Sequence, residues 1–501
     1  MMTFLKSLKS GACLAALMSG QAALADVTAQ EVWENWKQSL DLYGESGVTI
    51  GEETVDGGTV TVSGIAISFS DDEVTVSGDM GEIIFTENGD GTVSIAMAES
   101  FPLEITDNTG VSMLMSVTNS GLQMVASGTP DAISYDVSAD QYAVVVDQFT
   151  DPNEEIQGEM RFTMNGVTGK YLIETGPVQD ITYGLAADSL DMLIDISEPG
   201  GDGTVIVSGK VDGLYADANA RLPEGANFED PENLVADGFS IAATYGLAAG
   251  NYLFEVNVDG EAASGTASTG ASDIEIAFGN DGFLYDVLTS NIALEMSQVP
   301  EFPFPISVSL AEYGITLQGP LSATAEPEDI AFGINLTDLS INDELYMLFD
   351  PSGILPREPA TIRVDLTGAA KLFFDVLDPE QADAMAMADM PGELESVTLN
   401  ELTVKLAGAS IDGTGDFTFD NSDLQTFDGL PRPEGEVTLV VKGANGLIDK
   451  LVQMGLVPED QAMMSRMMVG MFARATGDDE LTSTIEINEA GNVFANGQQI
   501  R

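Results

Sequence analysis

The sequence contains no histidine and a single cysteine, Cys13, in 501 residues. Basic side chains are scarce as well: 17 Lys and Arg stand against 82 Asp and Glu, a net charge of −65. Each shortage excludes something. Without histidine there is no Ser-His-Asp or Cys-His nucleophile system and no histidine-ligated zinc. One cysteine makes no intrachain disulfide. So few Lys and Arg leave no clustered positive charge for phosphate, which argues against a nucleic-acid partner. No apolar run approaches the roughly 20 residues that span a bilayer. The bases that exist are unevenly placed. Residues 38–160 and 222–356 contain none, so the last third of the chain is a different electrostatic region.

Lys6 and Lys9, an apolar stretch over 11–18 and the small-residue site Ala23-Leu24-Ala25 predict a secretory signal peptide over 1–25. The exported chain is then expected to begin at Asp26, with no transmembrane segment after cleavage. Cys13 lies inside the apolar stretch and is poorly placed for lipidation. Thr28-Ala29-Gln30-Glu31 has the spacing of a capping box. Val32, Trp33, Trp36, Leu40 and Tyr43 follow at helical spacing. This predicts an N-terminal helix whose two tryptophans anchor it on an adjoining sheet.

After Gly47 the period changes to two. TVTVSGIAISFS, EVTVSG, GEIIFTENGDGTVSIAM and SMLMSVTN alternate apolar and small polar residues, with Asp-Gly and Asn-Gly turns between them. Similar segments recur at unequal spacing: ISYDVSAD, ITYGLAAD and ATYGLAA place Tyr135, Tyr183 and Tyr245 in matching positions, with Phe278 a looser fourth. They are expected to pack within the sheet. Later, ILPREPATIRVDLTGAAKLFFDVLDPEQADAM resembles GLPRPEGEVTLVVKGANGLIDKLVQMGLVPEDQAMM, which predicts strand–helix–strand–strand units. The expected fold is mainly β: long, repetitive, curved antiparallel sheet with an N-terminal helix and a few C-terminal amphipathic helices. The expected regions are residues 26–300, helix plus repetitive β, and 301–501, β with inserted helices, joined near EFPFPIS.

Chemical motifs are few. Carboxylate pairs such as Asp71-Asp72, Glu154-Glu155 and Asp478-Asp479 are what 82 acids produce by chance, though two facing carboxylates can hydrolyse glycosides. Asn88-Gly89-Asp90-Gly91, Gly201-Asp202-Gly203 and Asp412-Gly413-Thr414-Gly415-Asp416 resemble calcium loops but lack the closing acid, and are read as hairpin turns. There is no G-x-S-x-G, no Walker loop and no dinucleotide fingerprint followed by a helix. No catalytic residue, metal ligand or cofactor is therefore assigned.

DQAMMSRMMVGMFARA, residues 460–475, predicts a helix. Pro458, Glu459 and Asp460 suit its start, and Arg474 and Gly477 its end. Met463, Met467 and Met471 form one row, and Met464, Met468 and Phe472 the next. Methionine fills irregular apolar space and suits adaptable surfaces. Two uses are expected of this stripe: a cover packed on a sheet, or an apolar ligand or lid face over a groove.

The run GLIDKLVQMGLVPEDQAMMSRMMVGMFARATGDDELTSTIEINEAGNVFANGQQI, with the exported N-terminus and VWENWKQSL, resembles the domain-of-unknown-function 2125 family of exported alphaproteobacterial proteins. That resemblance implies the periplasm or envelope of a Gram-negative bacterium and supplies no catalytic residues. GNVFANGQQI is also similar to endings of AsmA-like envelope proteins, which form long β-sheet grooves and are linked to lipid handling. The first expectation is a non-enzymatic periplasmic protein that presents an apolar sheet face or groove to lipid or another envelope component. The alternatives are an acidic exported scaffold, periplasmic or extracellular, stabilised by salt or calcium, and a carboxylate-based hydrolase.

Overall fold

The computed structural model describes residues 26–501 except 42–46, 71–73, 153–156, 199–202, 224–230, 259, 301 and 389. The expected signal peptide with Cys13, together with Tyr43, Asp71-Asp72, Glu154-Glu155 and Gly201-Asp202, lies outside the described residues.

Helix α1 (Ala29–Asp41) forms where the capping box stands. The Glu31 carboxylate accepts from the Thr28 N–H at 2.9 Å, and the Thr28 hydroxyl accepts from the Glu31 N–H at 3.2 Å. Two free N–H groups of the helix start are thereby satisfied.

The chain then weaves two collinear lanes of short strands. β1 (Val48–Thr49) opens the first lane, and the hairpin of β2 (Glu52–Asp56) and β3 (Thr59–Ser63) opens the second. β4 (Ala66–Ser70) and β5 (Val74–Asp79) return to the first lane; β6 (Glu82–Glu87) and β7 (Val93–Met97) return to the second. β8 (Ser100–Asp107) and β9 (Ser112–Ser120) extend the first, and β10 (Gln123–Thr129) the second. β11 (Ala132–Thr150) is long enough to unite them, pairing with β10 through its first half and β9 through its second.

Beyond it, β12 (Gln157–Glu174), β13 (Val178–Ser197) and β14 (Thr204–Pro223) span both lanes. After the short helix α2 (Pro231–Ala236) the lanes part once more. β15 (Ser240–Leu247) and β18 (Ser272–Gly279) fill one, and β16 (Ala249–Val258) and β17 (Glu261–Thr269) the other. β19 (Gly282–Gln298) rejoins them. β20 (Ile306–Gly319), β21 (Glu328–Ile341), α3 (Asp343–Phe349), β22 (Ala360–Leu372), α4 (Pro379–Met387), β23 (Gly392–Leu406), β24 (Ala409–Asp420) and β25 (Arg432–Lys442) continue the sheet as it narrows. The helices α5 (Ala444–Gln453) and α6 (Glu459–Phe472) precede β26 (Arg474–Gly477), β27 (Glu480–Ile487), β28 (Val493–Ala495) and β29 (Gln498–Gln499).

Among the described residues one antiparallel sheet therefore holds all 29 strands, with 65% of the chain in strand and 12% in helix. Pairing continues through the expected junction near 301, where Val299 bridges Phe302 and β19 pairs with β20. One expectation is corrected. Residues 412–416 are the interior of β24, not a hairpin turn, because their glycines pair with β23 and β25. The two units that look alike in sequence each run strand, helix, strand, strand, but in opposite senses. β22 and β25 are three antiparallel steps apart, so they run in opposite directions and carry α4 and α5–α6 at opposite ends of the strands.

The main core of the described residues lies under α1. Val32 and Trp33 of the helix pack with Val60, Val62, Ile83, Phe85, Val93, Ile95 and Ile133. The accessible surface, 29373 Å², is well above the roughly 18,000 Å² of a compact monomer of this mass. Most of the sheet is a single layer.

Candidate functional site

Alternation along each strand sends successive side chains to opposite faces. Register carries that alternation across the sheet. From β11 to β21 one row runs through Tyr135, Tyr171, Tyr183, Ala218, Ala243, Ile276, Tyr285, Leu317 and Phe332. The next row on that face is Val137, Gly169, Leu185, Ala216, Tyr245, Ile274, Val287, Ile315 and Ile334. Neither row contains a charge. The row between them, on the other face, is Asp136, Lys170, Gly184, Asp217, Thr244, Glu275, Asp286, Thr316 and Gly333. The sheet thus has an apolar face and an acidic one.

Cover on the apolar face ends abruptly. Beneath α1, Trp33 and Trp36 lie 5.6 and 5.3 Å from Phe85, and Trp36 lies 6.5 Å from Tyr135. The ladder continues through Tyr171 to Tyr183, in centroid steps of 6.1 and 6.5 Å. Tyr135 is 4% exposed, and its hydroxyl donates to Asn35 at 2.7 Å. Tyr183, Tyr245 and Phe332 are 36%, 43% and 41% exposed, because no helix covers them. The recurring aromatics were expected to pack within the sheet: Tyr135 does so buried, Tyr183 packs edge-on across strands against Tyr171 while half-exposed, and Phe278 packs on Phe239 at 6.4 Å. Burial among apolar neighbours pushes the Tyr142 and Tyr183 phenols above the ordinary value.

A line of irregularities crosses the long strands where the lanes meet. Gly166 and Gly213 adopt φ of +60° and +62° there. The regular pairing skips Asp140 and Gly166 between β11 and β12, and Asp188 and Gly213 between β13 and β14. One residue on each strand is left unpaired there, and the register does not shift. The alternation changes at this break: Met164 and Val167 pack into the same apolar cluster, though three residues apart. Ala139, Val167 and Ala187 are buried at this line. Beside them is a furrow of about 300 Å³ lined by Met164, Leu185, Leu214, Tyr245, Leu247 and Ile274. Two larger hollows, of about 700 and 500 Å³, are lined by mixed polar groups such as Asp191, Lys210 and Asn251, or Asp180, Arg221 and Asp281. The apolar furrow is the better-defined seat, because its lining is of one chemical kind.

The acidic motifs serve local structure. Asp90 accepts from the Thr92 N–H and hydroxyl within the β6–β7 turn. Asp479 accepts from the N–H groups of Asn445 and Gly446 at the start of α5. Among the described residues no group of three or more acidic side chains is placed to hold a metal ion. The methionine stripe is real but does not cover the sheet. Met463, Met464, Met467, Met468, Met471 and Phe472 are all exposed, and none of them lines the furrow. α6 leans on α5 instead, through buried Ala462 and through Arg466, which donates to Asn445 and Asp449.

Residues 254–497 match the model of DUF2125, described as an uncharacterized protein conserved in bacteria. This stretch belongs to DUF2125. The DUF2125 stretch includes β17 to β28, the Met helix and Ile274 of the furrow; Met164, Leu185, Leu214 and Tyr245 precede it. VWENWKQSL, on α1, is outside the matched residues. No curated protein matches the chain.

Proposed function

We propose that the protein is a non-enzymatic, exported envelope component that holds lipid hydrocarbon against the apolar face of its sheet, in the periplasm. One observation carries this reading: the charge-free rows of Tyr183, Tyr245, Ile276, Tyr285, Leu317 and Phe332 lie in a regular sheet and are 36–43% exposed. Contiguous apolar surface of this kind marks a partner or ligand. The furrow provides a seat for a chain, and the neighbouring rows extend it. The acidic opposite face keeps such a molecule soluble through its charge. The carboxylates that make defined contacts serve turns and caps or bond to neighbouring strands, as Asp191 does to Asn165 and Asp416 to Thr398, which favours binding over chemistry.

Native mass spectrometry of protein taken from its own periplasm should show co-purifying lipid, and a fluorescent fatty acid should bind the emptied protein. Ile274→Asp puts a charge in the furrow. It should weaken probe binding by about tenfold or more, which needs only about 1.4 kcal/mol. Thr182→Asp, on the acidic face, should leave binding unchanged. Folded protein that never carries lipid and ignores the probe would overturn the proposal.

A further inference from the structure

α6 turns five thioethers in one direction. At about 100° per residue, Met463, Met467, Met471, Met464 and Met468 fall within an arc of about 140°. Buried Ala462 and Arg466, which donates to Asn445 and Asp449 of α5, lie outside that arc, so the arc points away from the helix pair. The five side chains are 53–67% exposed.

Packing does not explain them. Burying each would gain roughly 1.5–3 kcal/mol, and here that gain is not taken. A leucine would supply the same apolar surface with a stronger helix preference. What methionine adds at an exposed helical position is sulfur. A thioether is a soft donor, of the kind that selects Cu(I). The spacing suits it. Met463, Met464 and Met467 stand at i, i+1 and i+4, and Met467, Met468 and Met471 repeat that pattern. Neighbours at i and i+4 have Cβ atoms about 5–6 Å apart. The unbranched methionine chain is flexible enough to bring its sulfur toward a shared point. After Cys13 thioethers are the soft donors the sequence offers, since it has no histidine and no further cysteine, and α6 gathers five of its 22 methionines. Its net charge of −65 raises the local concentration of any cation.

We propose that α6 is a binding site for a soft monovalent cation, Cu(I), held by thioether triads drawn from Met463, Met464, Met467, Met468 and Met471. The ion binds without change of oxidation state, and no bond within the protein is made or broken. The site is separate from the furrow and does not depend on the lipid reading.

The test is an anaerobic titration of the full chain with Cu(I) against a chromophoric chelator, repeated with Ag(I) as a redox-inert probe. Binding should appear with sulfur-only scattering at the copper edge. Ag(I) should shift the methionine methyl signals of residues 463–471 and leave those of other methionines in place. The Met463→Leu/Met467→Leu/Met471→Leu variant keeps the apolar arc and the helix. It should lose more than about 100-fold in affinity, beyond the 10–100-fold typical of an outer-shell change. Circular dichroism confirms that the variant is folded. Equal affinity in wild type and variant, or methyl shifts outside α6, would overturn the site.

Discussion

Gly166 and Gly169 lie three residues apart on β12 under different constraints. Gly166 sits in the left-handed region at φ +60°, and a side chain there would press on the Asp188 carboxylate. At Gly169 the φ is ordinary, and an added methyl would meet the Gly184 carbonyl oxygen at 3.4 Å and Val137 Cβ at 3.8 Å, which are normal contacts. Gly166→Ala should therefore cost about 1–2 kcal/mol, the price of left-handed backbone for an L residue. Gly169→Ala should stay within about 0.5 kcal/mol. Chemical denaturation of the two variants measures the difference, and equal effects would show that the break in pairing does not need its glycine. Asn291 and Asp338 hold positive φ at 49° and 56° in β19 and β21. These side chains tolerate that region better than most. Period-two reading takes glycines as turn markers, and it finds those between strands. It misses Gly166 and Gly213, because a break inside a long strand leaves the flanking alternation intact on both sides.

Among the elements, α1 and α6 show what an amphipathic pattern does and does not specify. Both were legible as helices. In α1 the apolar stripe includes two tryptophans beside a capping box, and Trp33 is fully buried against Phe85. Trp33→Ala should cost about 3–5 kcal/mol through the cavity it leaves. Hydrogen exchange should quicken in α1, β3 and β6 before the rest of the sheet. Uniform loosening instead would mean that α1 and the sheet unfold as one unit. In α6 the methionines also recur at helical spacing, yet they stay exposed. Periodicity states that one side is apolar; it does not state what lies opposite. The same holds for Tyr183 and Tyr245, whose alternation resembles that of Tyr135. The difference is that α1 ends before reaching them, and that is a tertiary fact. The furrow was illegible for a related reason: its lining comes from five strands between residues 164 and 274, and only the register brings them together.

For the whole molecule, a net charge of −65 and a two-faced sheet act together. Asp136, Asp217, Glu275 and Asp286 share one side, and Glu275 and Asp286 are direct cross-strand partners. Like charges so placed destabilise a sheet. That repulsion fades as pH approaches the sequence pI of 4.1. Certain carboxylates work in the other direction. The Ser422 hydroxyl and the Arg432 guanidinium hold Asp420 down to about 2, from an ordinary value of 3.8. Thr426 holds Asp423 low in the same loop. At Asp350 burial pushes the carboxyl up, and the N–H groups of Leu355, Ile354 and Gly353 outweigh it, leaving the group below its ordinary value. A depressed folded pKa contributes stability that is fully present above the unfolded value and is lost as pH falls through the folded one. Between neutral pH and the pI these ties remain while the repulsion declines. At low ionic strength the denaturation midpoint should therefore rise on acidification to a maximum near about pH 4.5, below the usual window of about pH 5–8, and fall steeply toward pH 2. Salt should remove the rise and keep the fall: in about 1 M NaCl the Debye length is about 3 Å, so exposed like charges are screened at neutral pH already. A midpoint highest at neutral pH in low salt would show that cross-strand repulsion is too weak to matter. The acidic face would then owe its character to solubility alone.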